Sequence, residues 1–221
     1  MNKHLFFLKH FFKHPQTQGA VAPSSKALAK AMIDPLDLDN ASFVVEYGPG
    51  LGSFTKEILS RAKKHMNFIG IEKNPAFVDI LKKEFPEAKI VAGDAKDVLK
   101  IIGNFPLNKV DAVISGLPFS NFRPEIQSEI LRNTCAVLKP GGIFVSFTYI
   151  HTWPLNRAKR FRKMLGNIFS QVLWHPVMKN VPPAFVIECK KGENACPCIY
   201  YSKCQGWLIK ESSSVKKNKA M

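Results

Sequence analysis

Residues 43–55 read FVVEYGPGLGSFT, and this stretch decides the fold. Its apolar, β-branched start predicts a buried strand. The glycines that follow, Gly48, Gly50 and Gly52, predict a sharp turn into a helix, where the backbone can approach a ligand closely. The loop alone also fits a dinucleotide-binding fold or a tight turn without any ligand.

The rest of the chain alternates short apolar runs with longer helical segments. The predicted strands are residues 43–47, 67–72, 89–92, 110–115 and 143–149, and the predicted helices are 54–64, 75–85, 97–102 and 124–138. Gly141 and Gly142 are expected to stop the last of these helices. A basic helix near 155–165 precedes two strands, about 168–178 and 184–190, joined by the tight link Asn180-Val181-Pro182-Pro183. The predicted fold class is therefore α/β: a seven-stranded, mostly parallel, doubly wound, Rossmann-like sheet with an antiparallel edge pair.

Polar side chains follow successive strands at the points where the strands end. Glu72 closes the second strand, 24 residues after Gly48, where a carboxylate can accept hydrogen bonds from ribose hydroxyls. Asp94 closes the third strand and Ser115 the fourth. Because ligands of open parallel sheets bind beyond the carboxyl ends of the strands, these side chains are expected to line one nucleotide-binding cleft.

Glu46 places a carboxylate beside the glycine loop, and this charge discriminates between nucleotide cofactors. A dinucleotide brings an anionic pyrophosphate to such a loop. S-adenosyl-L-methionine (SAM) brings an amino group and a sulfonium, which a carboxylate attracts. The charge pattern therefore favours SAM over NAD.

Four further segments give the chain a family resemblance. EYGPGLGSFT, residues 46–55, resembles the first motif of class I SAM-dependent methyltransferases, especially the rRNA adenine dimethyltransferase-like group. Within that group the chain resembles bacterial phospholipid N-methyltransferases over roughly residues 5–190. The segments that carry this resemblance are HPQTQGAVAPSSKALAKAM (14–32), SGLPF (115–119), FTY (147–149) and NVPPA (180–184).

The resemblance implies a cofactor site and an activity. The cofactor-binding residues that it implies, from the methionine part of SAM through ribose and adenine to the methyl donor, are Glu46, Gly48, Gly50, Gly52, Glu72, Asp94, Ser115 and Gly116. The implied reaction is the N-methylation of phosphatidylethanolamine to its mono- and dimethyl forms, with phosphatidylcholine as a further product.

The alternative within the same group is an rRNA (adenine-N6) methyltransferase. Such enzymes present Asn or Asp, then Pro and an aromatic residue, so that the polar side chain contacts the exocyclic amine and the ring stacks on the flipped base. Here the segment reads SGLPF, in which Gly116 cannot accept a hydrogen bond from the amine although Phe119 can still stack. The helical C-terminal domain of the rRNA enzymes also has no room after the last predicted strand. Nucleic acid is therefore the less favoured partner.

A lipid amine requires a different set of side chains. Its ammonium has to lose a proton before the nitrogen attacks the methyl group, and aromatic faces bind the quaternary product. Phe119, Tyr149 and Trp153 lie at or just after strand ends, where they are expected either to form an aromatic cage or to close the core. Tyr149 is the candidate for orienting the amine. His151 is the candidate proton acceptor, with a structural hydrogen bond as its alternative role.

A basic segment follows the fifth strand. No acidic residue occurs between Glu129 and Glu188, and the cations Arg157, Lys159, Arg160, Arg162 and Lys163 lie within that window. Arg157 and Arg160 are expected to bind the lipid substrate by holding its phosphate. The same cluster also suits an RNA backbone or a solvated helix face.

The charge balance favours an anionic partner. Lys and Arg number 32 against 17 Asp and Glu, and the net charge of +15 attracts nucleic acid or an anionic membrane. Residues 3–14 are expected to form an amphipathic helix with a Phe and Leu face, which lies in a bilayer interface or packs on the domain. The expected segments are a membrane-binding helix (1–14), the SAM-dependent methyltransferase domain (15–191) and a partly disordered tail (192–221).

The cysteine content and the hydropathy of the chain indicate where in the cell the protein is expected. Five cysteines are too few for a disulfide scaffold, and the spacing of those from Cys189 to Cys204 is not that of zinc knuckles, so no metal is expected. No apolar run has the length of a membrane span. The expectation is a cytoplasmic protein, peripheral at the inner face of the cell membrane. Its expected partners are an anionic phospholipid surface and phosphatidylethanolamine, with no obligate protein partner.

Overall fold

The computed structural model describes residues 25–105 and 109–193. Its strands there are β1 (Phe43–Tyr47), β2 (Asn67–Glu72), β3 (Lys89–Ala92), β4 (Val110–Ser115), β5 (Leu138–Tyr149), β6 (Gln171–Val177) and β7 (Ala184–Lys190). Its α-helices there are α1 (Lys26–Ile33), α2 (Ser53–Arg61), α3 (Pro75–Glu84), α4 (Val98–Gly103), α5 (Pro124–Val137) and α6 (Asn156–Ile168). The strands form one sheet in the order β3-β2-β1-β4-β5-β7-β6. β1 to β5 are parallel, and β7 runs antiparallel between β5 and β6.

The parallel part of the sheet forms where the sequence predicts it. β1, β2, β3 and β4 have the predicted bounds, and every side chain of β1 is buried. Helices cover both faces of these strands, so the strands are apolar without alternation. The predicted α/β fold class, including the antiparallel edge pair, is confirmed.

The start of β5 differs from the prediction. The expectation that Gly141 and Gly142 stop a helix is wrong, because α5 ends at Val137 and both glycines lie inside β5. Gly141 has a φ of 73°. A Cβ on Gly142 would lie 3.1 Å from the carbonyl oxygen of Asp111, so these glycines allow β5 to run close beside β4.

The start of β6 also comes later than predicted. α6 continues to Ile168, whose side chain is buried in the core, and β6 begins at Gln171. An apolar run of this length does not by itself distinguish the end of a buried helix from the start of a strand.

Two apolar layers enclose the sheet. The layer around Phe144 and Leu165 packs α4, α5 and α6 against one face. The layer around Val145 and Leu28 packs α1, α2 and α3 against the other. Because β1 to β5 are parallel, the polar residues at the carboxyl ends of these strands lie at one edge of the sheet, here called the carboxyl edge.

The turn between β6 and β7 lies at the carboxyl edge. Ala184 pairs with Tyr149 of β5 and with Val177 of β6, so the turn is level with the end of β5. Asn180 in this turn accepts a hydrogen bond from the backbone N–H of Ser25 at 3.3 Å, and Ser25 caps α1. Two segments of the family resemblance thus meet at this point.

Several expectations concern residues outside the described ranges. The amphipathic helix over 3–14 lies there, as does the tail beyond 193 with its cysteines. Within residues 25–105 and 109–193, no helix combines the length and the apolar character that crossing a bilayer requires. The same ranges contain no group of three or more His, Cys, Asp or Glu side chains placed to hold a metal ion.

Candidate active site

The glycine loop turns β1 into α2 through left-handed backbone. Gly48, Gly50 and Gly52 have φ values of 63°, 58° and 80°, which glycine adopts without strain. A Cβ on Gly52 would overlap the ring of Phe85. α2 begins without a side-chain cap, so the N–H groups of its first turn remain available to a ligand.

Glu46 lies fully buried beneath this loop. One carboxylate oxygen accepts a hydrogen bond from the Thr55 hydroxyl at 2.7 Å, and the other, Oε1, has no partner within the described residues. Burial, with a smaller contribution from the charge of Glu72, raises the pKa of Glu46 to about 8. At neutral pH its carboxyl group is therefore largely protonated in the ligand-free protein.

This environment refines the charge argument made from the sequence. A buried carboxyl group with one unpartnered oxygen fits a cationic ligand, because a nearby cation stabilises the ionised form that burial disfavours. A bound cation would therefore favour the ionised form of Glu46. The residues present fit the amino and sulfonium groups of SAM.

Glu72 connects the end of β2 to the glycine loop. Its Oε2 accepts the N–H of Gly50 at 3.0 Å, and its Oε1 accepts the N–H of Asn74 at 2.8 Å. A carboxylate has about four acceptor sites, so these two bonds leave capacity for ribose hydroxyls. Backbone hydrogen bonds therefore orient the carboxylate that the sequence assigns to ribose.

Asp94 follows β3 at the same edge. Partial burial acts to raise the pKa of its carboxyl group, but the hydrogen bond and charge of Lys73, with the backbone N–H and charge of Lys96, outweigh burial and hold that pKa below its usual range. The Lys73 ammonium is 3.0 Å from Oδ2. Asp94 is thus ionised and can accept a hydrogen bond from an adenine amino group.

Ser115 and Gly116 complete the edge at the end of β4. Ser115 is fully buried, and its hydroxyl oxygen accepts the N–H of Leu117 at 3.3 Å. The N–H of Gly116 donates to the carbonyl of Tyr47 at 2.9 Å. A Cβ on Gly116 would lie 2.9 Å from the carbonyl oxygen of Gly48. The segment after β4 therefore lies directly against the glycine loop.

Tyr149 and His151 lie together at the end of β5. Their rings stack with centroids 5.6 Å apart, and the Phe147 ring meets Tyr149 edge-on at 5.5 Å. Burial raises the pKa of the half-buried Tyr149 phenol, so its hydroxyl keeps its proton. His151 is exposed. The predicted roles of this pair in handling the amine remain a prediction.

The three rings of the expected aromatic cage pack in different places. Phe119 is only 2% exposed and stacks on Phe161 in the core at 4.8 Å, which matches the alternative that it closes the core, and its substrate-binding role stays a prediction. The ring of Trp153 packs against Trp174 and already carries a cation, since the Arg162 guanidinium lies 4.0 Å from its centroid. The hydrophobic pattern of the sequence does not show on which face of the sheet an aromatic side chain packs.

Arg157 and Arg160 lie on α6 and line a cavity of about 260 Å³. Arg123, Asn121 and Gln127, from the segment after β4 and the start of α5, line the same cavity. Arg157 and Arg160, the two arginines predicted to hold the lipid phosphate, thus share one cavity, and that role stays a prediction.

Several residues of these sites were not predicted from the sequence, among them Thr55, Arg123 and Gln127. Thr55 ends the EYGPGLGSFT motif, and its hydroxyl donates a hydrogen bond to the Glu46 carboxyl group at 2.7 Å. Arg123 precedes Pro124 at the start of α5, where a cation opposes the helix dipole. A cation at a helix start is therefore the sequence signal that could have identified Arg123, whereas no such signal points to Gln127.

The sheet order, the glycine loop and the acidic residues at successive strand ends together define a class I SAM-dependent methyltransferase. Solved structures share this fold: fibrillarin from Aeropyrum pernix with bound SAM has a TM-score of 0.58 and 19% identity, covering 74% of this chain and 72% of that one. The O-methyltransferase TomG from Streptomyces achromogenes with SAM has a TM-score of 0.57 and 16% identity, covering 76% of this chain and 79% of that one.

Sequence comparison narrows the class to a family. A methyltransferase domain family model matches residues 44–142. Ornithine lipid N-methyltransferase from Singulisphaera acidiphila is 32% identical over 193 residues, covering 86% of this chain and 97% of that protein. Ribosomal RNA small subunit methyltransferase A from a Hydrogenobaculum species is 30% identical over 109 residues, covering 46% of this chain and 42% of that protein. The chain belongs to the bacterial lipid N-methyltransferase family, and its cofactor is SAM.

Proposed function

We propose that this protein transfers methyl groups from SAM to the primary amine of a membrane lipid, and that phosphatidylethanolamine is methylated to its mono- and dimethyl forms and on to phosphatidylcholine. Ornithine lipid is a second candidate acceptor, because the relative of that name aligns over 97% of its own length. Both headgroups carry a primary amine and an oxyanion a few bonds apart. The alignment along nearly the whole of this relative is the observation that carries the proposal.

The residues at the end of β5 supply the acceptor chemistry. When bound, SAM would supply a methyl group on a sulfonium: the lone pair of a neutral amine would form the new carbon–nitrogen bond in line with the breaking carbon–sulfur bond, and the thioether S-adenosylhomocysteine would leave. Tyr149 accepts a hydrogen bond from the amine through its phenol oxygen and orients the nitrogen. His151, exposed beside it, takes the proton that the ammonium releases and passes it to solvent.

Two structural observations favour a lipid amine over an RNA base. The position where base methyltransferases carry Asn or Asp is Gly116, and a Cβ there would approach the Gly48 carbonyl oxygen at 2.9 Å. The aromatic residue of that motif, Phe119, is stacked in the core and is not available to a flipped base. Both contacts that a flipped adenine needs are therefore missing.

The carboxyl edge has the properties of a membrane-facing surface. The most exposed large apolar side chains of the described residues are Val181, Met178 and Leu155, at 88%, 66% and 51%, and all three follow strand ends at this edge. The neighbouring sequence between Glu129 and Glu188 contains no acidic residue. We place this edge against the anionic inner face of the cell membrane, with the predicted amphipathic helix as a second anchor.

A methylation assay tests the acceptor. Purified protein and labelled SAM are incubated with phosphatidylglycerol vesicles that contain phosphatidylethanolamine or ornithine lipid, and in parallel with rRNA. Labelled methylated lipid is expected from at least one vesicle type and none from vesicles without an amine lipid. Label in adenine and none in lipid would overturn the proposal.

A sedimentation assay tests the orientation. The double variant Met178→Ser/Val181→Ser should bind less to phosphatidylglycerol vesicles, because apolar area at the interface is lost. Leu173→Ser is the matched control, since Leu173 is an exposed apolar residue within β6 and away from the edge. Equal sedimentation of both variants and the unaltered protein would contradict the placement.

A further inference from the structure

The cavity lined by Arg123, Arg157 and Arg160, here called the arginine pocket, lies between α5 and α6. Its volume of about 260 Å³ is several times the roughly 30 Å³ that a water molecule occupies in the liquid. α5 follows β4 and α6 follows β5, so both helices begin at the carboxyl edge. The pocket is thus at the same edge as the methyl-donor residues Ser115 and Gly116.

Both helices start without a side-chain cap. Arg123 is the N-cap residue of α5 and Leu155 that of α6, and neither makes a capping hydrogen bond from its side chain. Apart from Pro124, which has no N–H, the first-turn residues of both helices therefore keep available N–H groups, and each helix dipole places partial positive charge at its start. Two helix termini and three guanidinium groups converge here; the first turn of α5 contains one acidic residue, Glu125, and the first turn of α6 contains none.

Two buried polar atoms of the pocket lack hydrogen-bond partners in the part of the chain that the structure describes. No carboxylate there lies within 4.0 Å of the guanidinium groups of Arg123, Arg157 or Arg160. Nε of Arg160 and Oε1 of Gln127 are buried without a hydrogen-bond partner. By contrast Arg162, on the same helix, donates to the Trp153 carbonyl at 2.9 Å.

Gln127 links the pocket to the segment beside the methyl donor. Its Nε2 donates to the carbonyl of Phe119 at 2.6 Å and to that of Phe122 at 3.2 Å, which fixes the orientation of its amide. Asn121, which lines the pocket, comes five positions after Gly116, so the two residues lie within about 17 Å even for an extended chain.

We propose that the arginine pocket is an oxyanion subsite that binds the anionic group of the acceptor headgroup, a phosphate or a carboxylate, while the amine of that headgroup reaches the methyl donor. The assignment rests on the proposed function. Arg123, Arg157 and Arg160 pair with the oxyanion by charge-assisted hydrogen bonds, assisted by the N–H groups of the two helix starts.

Substitution with a matched control tests the subsite. Arg160→Gln and Arg123→Gln each remove one guanidinium of the pocket. Lys159→Gln removes the same charge from the exposed surface of the same helix. Methyl transfer is measured with phosphatidylglycerol vesicles that contain phosphatidylethanolamine or ornithine lipid, and SAM affinity and thermal unfolding show that each variant is folded.

The pocket variants should raise KM for the lipid about tenfold or more while kcat and SAM affinity change less than twofold. Lys159→Gln should match the unaltered protein. A rise in KM for only one of the two lipids identifies whether the pocket binds a phosphate or a carboxylate. If Arg160→Gln and Lys159→Gln behave alike with both lipids, the subsite is overturned.

Inorganic phosphate and soluble glycerophosphoethanolamine separate this inference from the proposed function. If the unaltered protein methylates neither lipid, the proposed function fails. Calorimetric binding of glycerophosphoethanolamine that Arg160→Gln abolishes would still support the pocket. Binding of inorganic phosphate alone, without binding of glycerophosphoethanolamine and without any effect of Arg160→Gln on lipid KM, would mean a free-anion site and would overturn the headgroup assignment.

Discussion

The carboxylate of Glu72 accepts the backbone N–H of Gly50 at 3.0 Å, and this bond ties the end of β2 to the middle of the glycine loop. Glu72 and the glycine loop, the groups predicted to bind the ribose and the methionine part of SAM, therefore hold each other in place without a ligand. Preorganisation of this kind lowers the entropic penalty of binding.

Glu72→Gln should weaken SAM binding by about tenfold or more. The oxygen of a glutamine amide can accept only one of the two backbone N–H groups, and its NH₂ group then faces the other donor. Loss of that hydrogen bond costs about 1 to 3 kcal/mol of free energy. Calorimetry measures the affinity. Glu84→Gln, at an exposed position on α3, is the control, and equal affinities of the two variants would contradict the role of Glu72.

Glu46→Gln should change the pH dependence of stability. The pKa of Glu46 is about 8 in the folded protein against an ordinary value of 4.5, so the folded state loses stability relative to the unfolded state as pH rises through this interval. Glutamine does not titrate. Between pH 5 and about pH 8, the free energy of unfolding of the variant should therefore rise relative to that of the unaltered protein by a few kcal/mol in order of magnitude, as measured by denaturant unfolding. Parallel stability curves would exclude the raised pKa.

SAM affinity should increase with pH and level off near pH 8. The cation favours ionised Glu46, so binding at lower pH requires the carboxyl group to release a proton. Calorimetry in two buffers of different ionisation enthalpy measures this release directly. Glu46→Gln should bind SAM more weakly and without the proton release. If the SAM affinity of the unaltered protein does not depend on pH, Glu46 does not contact the cationic groups of SAM.

Gly116→Ala should abolish most methyl transfer. Its Cβ would lie 2.9 Å from the Gly48 carbonyl oxygen, so the segment after β4 and the glycine loop have to separate. Gly166→Ala is the matched control, because a Cβ on Gly166 meets nothing within 4 Å and alanine is the better helix former. That control should keep full activity and gain about 0.5 to 1 kcal/mol of stability. Activity retained in Gly116→Ala would refute the close packing of the two segments.

Tyr149→Phe should lower kcat about tenfold to a hundredfold without changing SAM affinity. The substitution keeps the ring and its packing against Phe147 and removes only the hydroxyl that orients the amine. Initial rates at saturating lipid, together with equilibrium SAM binding, measure the two quantities. If kcat is unchanged, the orienting group has to be sought elsewhere at the carboxyl edge.

The parallel strands and the cofactor residues were predictable because each follows from a local rule. A strand buried on both faces reads as an unbroken apolar run, and the acidic residues stand at the points where those runs end. Burial of the Glu46 carboxyl group was not predictable, since it depends on how α2 covers the loop. The charge state at this site therefore became clear only from the structure.

The acceptor side was less predictable because it depends on contacts distant in sequence. Phe119 and Tyr149 both follow strand ends, yet the first packs into the layer of α5 and α6 and the second against the layer of α1. Likewise Arg123 joins Arg157 and Arg160 only through the packing of α5 on α6. Sequence pattern identifies such residues as candidates, and tertiary packing decides which of them face a ligand.

The stack of Phe119 on Phe161 joins two parts of the molecule. Phe161 belongs to the helix that carries two of the pocket arginines, and Phe119 belongs to the segment after β4, which is predicted to lie beside the methyl donor. An aromatic pair contributes about 0.5 to 1.5 kcal/mol beyond its buried area, so the stack stabilises one position of the helix relative to the segment. With the headgroup in the arginine pocket, loss of this contact would lower the rate of transfer more than the affinity for either reactant.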